Sequence, residues 1–183
     1  MALRNAIMAT LAEGESSGYD LSKRFSVGVA NFWTATRQQL YRELEKMEAE
    51  GLIAARVVTQ QRRPTKRLFS LTDDGRAAIR DFSRSEPRPT AIRDELLVQV
   101  EAVALGDPAA VRASILDRRA KSEAKLAAYE LAFERLRGGL SVEEYVASGE
   151  RIGPCLTLMA GISFEHENIR WCEQAAEALA RRS

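Results

Sequence analysis

GLIAARVVTQQRRPTKRLFSLTDDG, residues 51–75, is the stretch on which the fold turns. "LIAARVVTQ" is rich in β-branched residues, and "RLFSLT" alternates apolar and polar positions. Two short strands around a basic loop containing Pro64, which would stiffen the turn, read as a β-hairpin. Thr72 then has the character of an N-cap, with Asp73 and Asp74 in the first turn, where the helix dipole favours acids. The helix it opens carries Ile79 and Phe82 and should end near Ser85. From Gly51 to Thr72 there are five basic residues (Arg56, Arg62, Arg63, Lys66, Arg67) and no acidic one. Charge concentrated in this way suits contact with a polyanion.

Upstream, the spacing predicts three helices. The first runs from about Leu3 to Ala12, with Leu3, Ile7 and Leu11 on one face and Gly14 as its stop. Ser17 and Asp20 have the spacing of a capping-box variant, opening a second helix through Leu21 and Phe25 to about Val29. Thr36 and Gln39 form a capping box for the third. Its buried face is Leu40, Leu44 and Met47, and Gly51 follows as a C′ residue. Its other face begins with Arg37, Gln38, Tyr41 and Arg42. Phe32 and Trp33, just before it, read as core or hinge residues.

Three helices followed by a hairpin within about 70 residues form a winged helix-turn-helix, whose third helix enters the DNA major groove. Arg37 and Gln38 have the donors and acceptors to reach guanine and adenine edges. Thr36, Gln39, Tyr41 and Arg42 flank them, the last two closer to phosphate. Tyr19 and Lys23 of the second helix are further backbone contacts. Gln61, Arg62, Arg63, Lys66 and Arg67 would form the wing tip, each cation neutralising phosphate charge.

Downstream, "EPRPT" marks a break. A helix is expected over about Ala91–Leu105, and "GDP" starts another with Asp107 as N-cap and Pro108 at its first position. That helix runs to about Arg137. Val111, Ile115, Arg118, Ser122, Leu126, Tyr129, Phe133 and Leu136 recur every 3.6 residues or so, the period of one continuous amphipathic face. Ser141 and Glu144 form another capping box. Gly149, Gly153 and Pro154 should break or kink the chain before a last helix to about Ala180, with Cys155, Met159, Ile162, His166 and Ile169 on one stripe. The expected class is mainly α with a small β-hairpin: a winged domain at 1–86, a linker at 87–91 and a helical domain at 92–183.

Composition narrows the function. The formal net charge is +1, but it divides into +4 over residues 1–89 and −3 over residues 90–183. Two cysteines make neither a disulfide framework nor a zinc pattern, and no apolar run approaches the roughly 20 residues of a membrane span. A cytoplasmic protein with reduced thiols is expected. The lone His166 reads as an interface histidine rather than a metal ligand. No nucleophile–base set and no phosphate-cradling glycine loop stand out, so no enzyme, no metal and no cofactor are expected.

"SGYDLSKRF", "FWTATRQQLYRELEKMEAEGLI", "TQQRRPTKRLFSLTDDGR" and "IRDELLV" together resemble the PadR family of bacterial transcriptional regulators. The resemblance is close over residues 1 to about 100. Beyond that the chain is similar to the larger subfamily with a virulence-activator-like helical domain, to which Arg170-Trp171 also fits. It implies a homodimer joined through the C-terminal helices, binding double-stranded DNA at an inverted repeat. It also implies release by a small aromatic effector in many members and activation in some. Under it Val111, Ile115, Leu126, Tyr129, Phe133, Met159, Ile162, His166 and Trp171 are the dimerisation candidates. The alternatives are an effector-independent activator and a helical protein–protein adaptor that no longer reads DNA. "TATRQQ" departs from the small-residue stretch common in the family, so base preference is not carried over.

Overall fold

The computed structural model describes residues 2–25, 35–60, 63–87, 89, 92–149 and 151–181, apart from the side chains of Ala2, Gln60, Arg63 and Pro64. The end of the second helix near Val29, Phe32, Trp33, Gln61, Arg62 and Ala91 lie outside the described residues. The chain separates into two compact units, Met1–Pro87 and Arg88–Ser183.

The N-terminal unit runs α1 (Ala2–Leu11), β1 (Ser16–Ser17), α2 (Gly18–Arg24), α3 (Arg37–Ala49), β2 (Ile53–Gln60), β3 (Arg63–Leu71) and α4 (Asp73–Arg84). Its core joins Ile7, Met8 and Leu11 of α1 to Leu21 of α2, to Leu40, Leu44 and Met47 of α3, and to Ile53, Phe69 and Leu71 of the sheet. The helical starts are held by the expected local chemistry. Ser17 Oγ accepts from the Asp20 amide at 3.1 Å, and Thr72 Oγ1 accepts from the Gly75 amide at 3.1 Å. Thr72 Oγ1 also donates to the Gly51 carbonyl at 2.6 Å, tying the start of α4 to the end of α3.

Two features depart from expectation. The sheet has three strands in the order β1-β3-β2, because Ser16 and Ser17 pair antiparallel with Phe69 and Leu68. Pro64 belongs to β3 rather than to the loop, since Gln60 already pairs with Arg63 across a register irregularity between Val58 and Gln60. β1 pairs only with Leu68 and Phe69, so β3 has a neighbour on one side at residue 64. A residue without an amide proton is tolerated in such an edge position.

The C-terminal unit consists of α5 (Glu95–Glu101), α6 (Pro108–Arg137), α7 (Val142–Ser148) and α8 (Ile152–Ala180). α6 and α8 are the long pair. Leu96, Val111, Ile115, Cys172 and Ala176 are buried together between α5, α6 and α8. Asp107 Oδ1 accepts from the Ala109 and Ala110 amides at 2.9 and 3.2 Å, and Gly138 closes α6 in the left-handed region at φ 61°. α5 is shorter than the expected 91–105 helix. Asp94 starts it, with Oδ1 accepting from the Leu96 amide, and Arg118 grips both Asp94 oxygens at 2.6 Å. Beyond Glu101 the chain turns through short-range bonds, such as Leu105 N–H to Ala102 O.

Gly153 and Pro154 do not break the last helix. They fall in the first turn of α8, where a missing amide proton leaves no carbonyl unpaired. The chain instead reverses at Gly149 (φ 70°) and Arg151 (φ 42°). The buried stripe of α8 also differs from the expected one: Cys155, Leu158, Gly161, Glu165, Cys172 and Ala176 face the interior of the unit. Met159 and His166 are exposed.

Candidate nucleic-acid interface

The front of α3 is built by its own cap. Thr36 Oγ1 accepts from the Gln39 amide at 3.2 Å, and Gln39 Oε1 accepts from the Thr36 amide at 2.9 Å. The cap uses one oxygen of each exposed side chain; the Thr36 hydroxyl proton and the Gln39 carboxamide protons are not part of it. Arg37, Gln38 and Arg42 are exposed, with no hydrogen bond or ion pair among the described residues. Tyr41 lies over α2. A Cβ at Gly18 would come 2.5 Å from Tyr41 Cε1, so glycine at 18 is what admits the ring. Tyr19 is 62% exposed at the start of α2, and Lys23 is exposed one turn later.

Glu43 and Glu48 of α3 and Glu50 at its C-cap are engaged in ion pairs. Arg4 of α1 bonds Glu43 at 3.2 Å and Glu50 at 2.8 Å. The Arg4 guanidinium holds the Glu50 carboxyl below the usual carboxylate range, chiefly through that hydrogen bond. Glu48 is paired with Arg67 of β3. What remains along the exposed first two turns is cationic and amide chemistry, matched to phosphate and base edges.

On the hairpin, Gln61 and Arg62 fall outside the described residues and Arg63 is placed by its backbone alone. Lys66 is half-buried and has no ion pair among the described residues. Arg67 is not at the tip. It pairs across the ladder with Val57, its guanidinium lies 5.3 Å from the Phe69 ring centroid, and Glu48 holds its other side. Arg56, the remaining cation of the run, is clamped by Glu15 at 2.6–3.1 Å.

The dimerisation candidates separate by position. Val111, Ile115 and Tyr129 are buried within the unit's own packing. Burial presses the Tyr129 hydroxyl pKa upward, helped by the charge of Glu165. Leu126, Phe133, Ile162 and Trp171 are half-buried, whereas Met159 and His166 are exposed, His166 lying 4.0 Å from Glu130. The outward apolar surface contains residues that periodicity did not single out: Leu131, Leu156 and Phe164, the last two 54% and 59% exposed. A cavity of about 670 Å³ opens among Arg118, Lys121, Ser122, Lys125, Phe164 and Asn168. Among the described residues no cluster of His, Cys, Asp and Glu is placed to hold a metal, and no helix is long and apolar enough to cross a membrane.

Residues 7–81 match the transcriptional regulator PadR-like family, and residues 92–180 match the virulence activator alpha C-terminal family. The probable transcriptional regulator Rv1176c of Mycobacterium tuberculosis is 33% identical over 189 residues, covering 98% of both chains. The chain belongs to the PadR-like family. The negative transcriptional regulator PadR of Bacillus subtilis is 30% identical over 93% of both chains. Structures of that PadR in complex with operator DNA and with p-coumaric acid superpose with TM-scores of 0.80 and 0.72 at 28% identity. They cover 97% and 98% of this chain, and 97% and 99% of theirs. As a PadR-like protein the chain is a DNA-binding transcriptional regulator and not an enzyme.

Two features of this PadR-like chain escaped the sequence reading. One is the tie of Arg67 to α3; the alternation of "KRLFSL" held its signal, since it puts Arg67 on the face of Phe69 and Leu71. The other is buried Glu165, 2% exposed, near Lys125 Nζ at 3.5 Å and Asn168 Nδ2 at 3.4 Å. An acid between His166 and Phe164 gave no sign of facing inward.

Proposed function

We propose that this chain is a homodimeric repressor that reads an inverted-repeat operator inside the cell and leaves it when a small aromatic molecule binds. The front of α3 carries the reading: Arg37, Gln38 and Arg42 stand exposed and, among the described residues, unpaired, while Glu43, Glu48 and Glu50 are held by Arg4 and Arg67. A two-fold dimer presents two such fronts about one duplex turn, roughly 34 Å, apart. The negative regulator PadR of Bacillus subtilis, solved with operator DNA and with p-coumaric acid, supports both the sign of regulation and the class of effector. The outward apolar residues of α6 and α8 support a second copy as partner. An effector that prefers one arrangement of the two subunits need only shift that population to weaken binding.

The test is a gel shift on the promoter upstream of the protein's own gene, against random duplex, at two salt concentrations. Preferential, salt-dependent retardation is expected, and p-coumaric acid or a related phenolic acid should release it. Equal affinity for promoter and random DNA would sink the regulator reading. Indifference to a panel of aromatic acids would remove the effector from it. Arg37→Ala should lower discrimination at one base pair by about 1–3 kcal/mol.

A further inference from the structure

We infer that Arg67 is a positioning residue that fixes the wing against α3, and not one of the wing's phosphate contacts. The inference rests on the DNA-binding reading above and refines which residues carry it. Side chains alternate between the faces of a strand, so Arg67 shares its face with Phe69 and Leu71. Both are buried in the core. Lys66 points to the opposite face, with Leu68 and Ser70. The cross-strand partners agree: Val57 stands opposite Arg67, and Ala55 opposite Phe69. The guanidinium is fixed from two sides, by the Phe69 ring at 5.3 Å and by the Glu48 carboxylate.

Glu48 is well placed for this purpose. At 100° per residue, Arg37, Tyr41 and Glu48 fall within about 40° of one another around α3. The row that begins with a base-reading candidate therefore ends on the wing's anchor. Arg67 lies four residues below Arg63, where the ladder closes, a span of about 13 Å at 3.3 Å per residue. Over that lever, a tilt of roughly 10° at Arg67 moves the tip by about 2 Å, which lengthens hydrogen bonds but keeps the tip's charge within the Debye length of about 8 Å from phosphate. The anchor thus sets where the end of the ladder at Arg63 falls relative to α3.

The experiment measures binding of the full chain to a duplex that the wild-type protein selects from a random pool, over a salt series. Lys66→Ala should flatten the salt slope by about 0.9. Arg67→Ala should leave the slope unchanged and weaken binding roughly five-fold at every salt concentration, the scale of a half-exposed ion pair with a cation–π contact. Arg67→Lys should recover most of that loss, and the exchange Glu48→Arg with Arg67→Glu should restore affinity to within about three-fold. Circular dichroism confirms that each variant is folded. A slope that falls by a full unit in Arg67→Ala, with no recovery in the exchanged pair, makes Arg67 a phosphate contact and overturns the inference. If the wild-type chain selects no sequence, the DNA-binding reading falls, and this inference with it.

Discussion

Two glycines show how one atom can decide packing, with costs of different size expected for the same substitution. Gly18 admits Tyr41, and a Cβ there would press on the ring of a half-exposed side chain that can swing outward. Gly18→Ala should therefore cost about 1 kcal/mol, chiefly by displacing Tyr41 from the front of α3. At Gly75 a Cβ would lie 2.1 Å from the Leu52 carbonyl oxygen, which is backbone and cannot move aside. Alanine normally improves a helix over glycine by about 1 kcal/mol. Here the clash should reverse that sign and cost about 3 kcal/mol. Thermal unfolding of the two variants checks the order: a Gly75→Ala protein as stable as wild type would mean that α4 can shift off Leu52.

The elements are set by their ends, and their ends are where the sequence was most readable. Thr36–Gln39, Ser141–Glu144, Thr72 and Asp107 all cap as their spacing demanded, because a cap is a contact between residues three apart. Thr36→Ala should cost about 1 kcal/mol and fray the start of α3, while Thr36→Ser stays near wild type. Circular dichroism melts and DNA affinity should fall together in the first variant. Asp94 adds a pH signature, because Arg118 hydrogen bonds hold its carboxyl below the usual range. A depressed folded-state pKa contributes stability above the unfolded value of about 4 and loses it as pH falls through the folded one. Asp94→Asn keeps a capping oxygen but loses the ion pair, and should cost roughly 1.5–3 kcal/mol at neutral pH. That deficit should begin to shrink as pH falls below about 4 and disappear once pH is below the depressed folded-state value, where wild type has lost the same interaction. A deficit constant down to pH 2 would assign the effect to packing instead.

At the scale of the molecule, the class and order of elements were legible, and the choice between faces of a long helix was not. α8 is apolar on two sides, with Leu158 and Cys172 inward and Leu156 and Phe164 outward. A 3.6-residue period fits either stripe, so spacing alone did not show that Met159 and His166 lie outside the unit's own core. The small β1 strand was invisible for another reason: two serines have no alternation to read. Pro64 was misplaced because a proline beside basic residues resembles a turn, whereas the ladder needed no amide proton there. The outward stripe bears directly on assembly. Leu156→Glu with Phe164→Glu should convert a dimer into a folded monomer in analytical ultracentrifugation and abolish operator binding, since one winged domain reads only half a repeat. A dimer that survives both charges would place the interface elsewhere.

The pairing of Ser16 and Ser17 with β3 has a consequence for how the N-terminal unit opens. Ser17 ends a strand and caps a helix at once, so the first turn of α2 and the middle of the wing share one residue. Neither can loosen alone without exposing the other. Backbone amides of the α2 turn and of the Leu68–Phe69 segment should then exchange with deuterium at a common rate, as one cooperative unit. The tip beyond Val58, which β1 does not touch, should exchange faster.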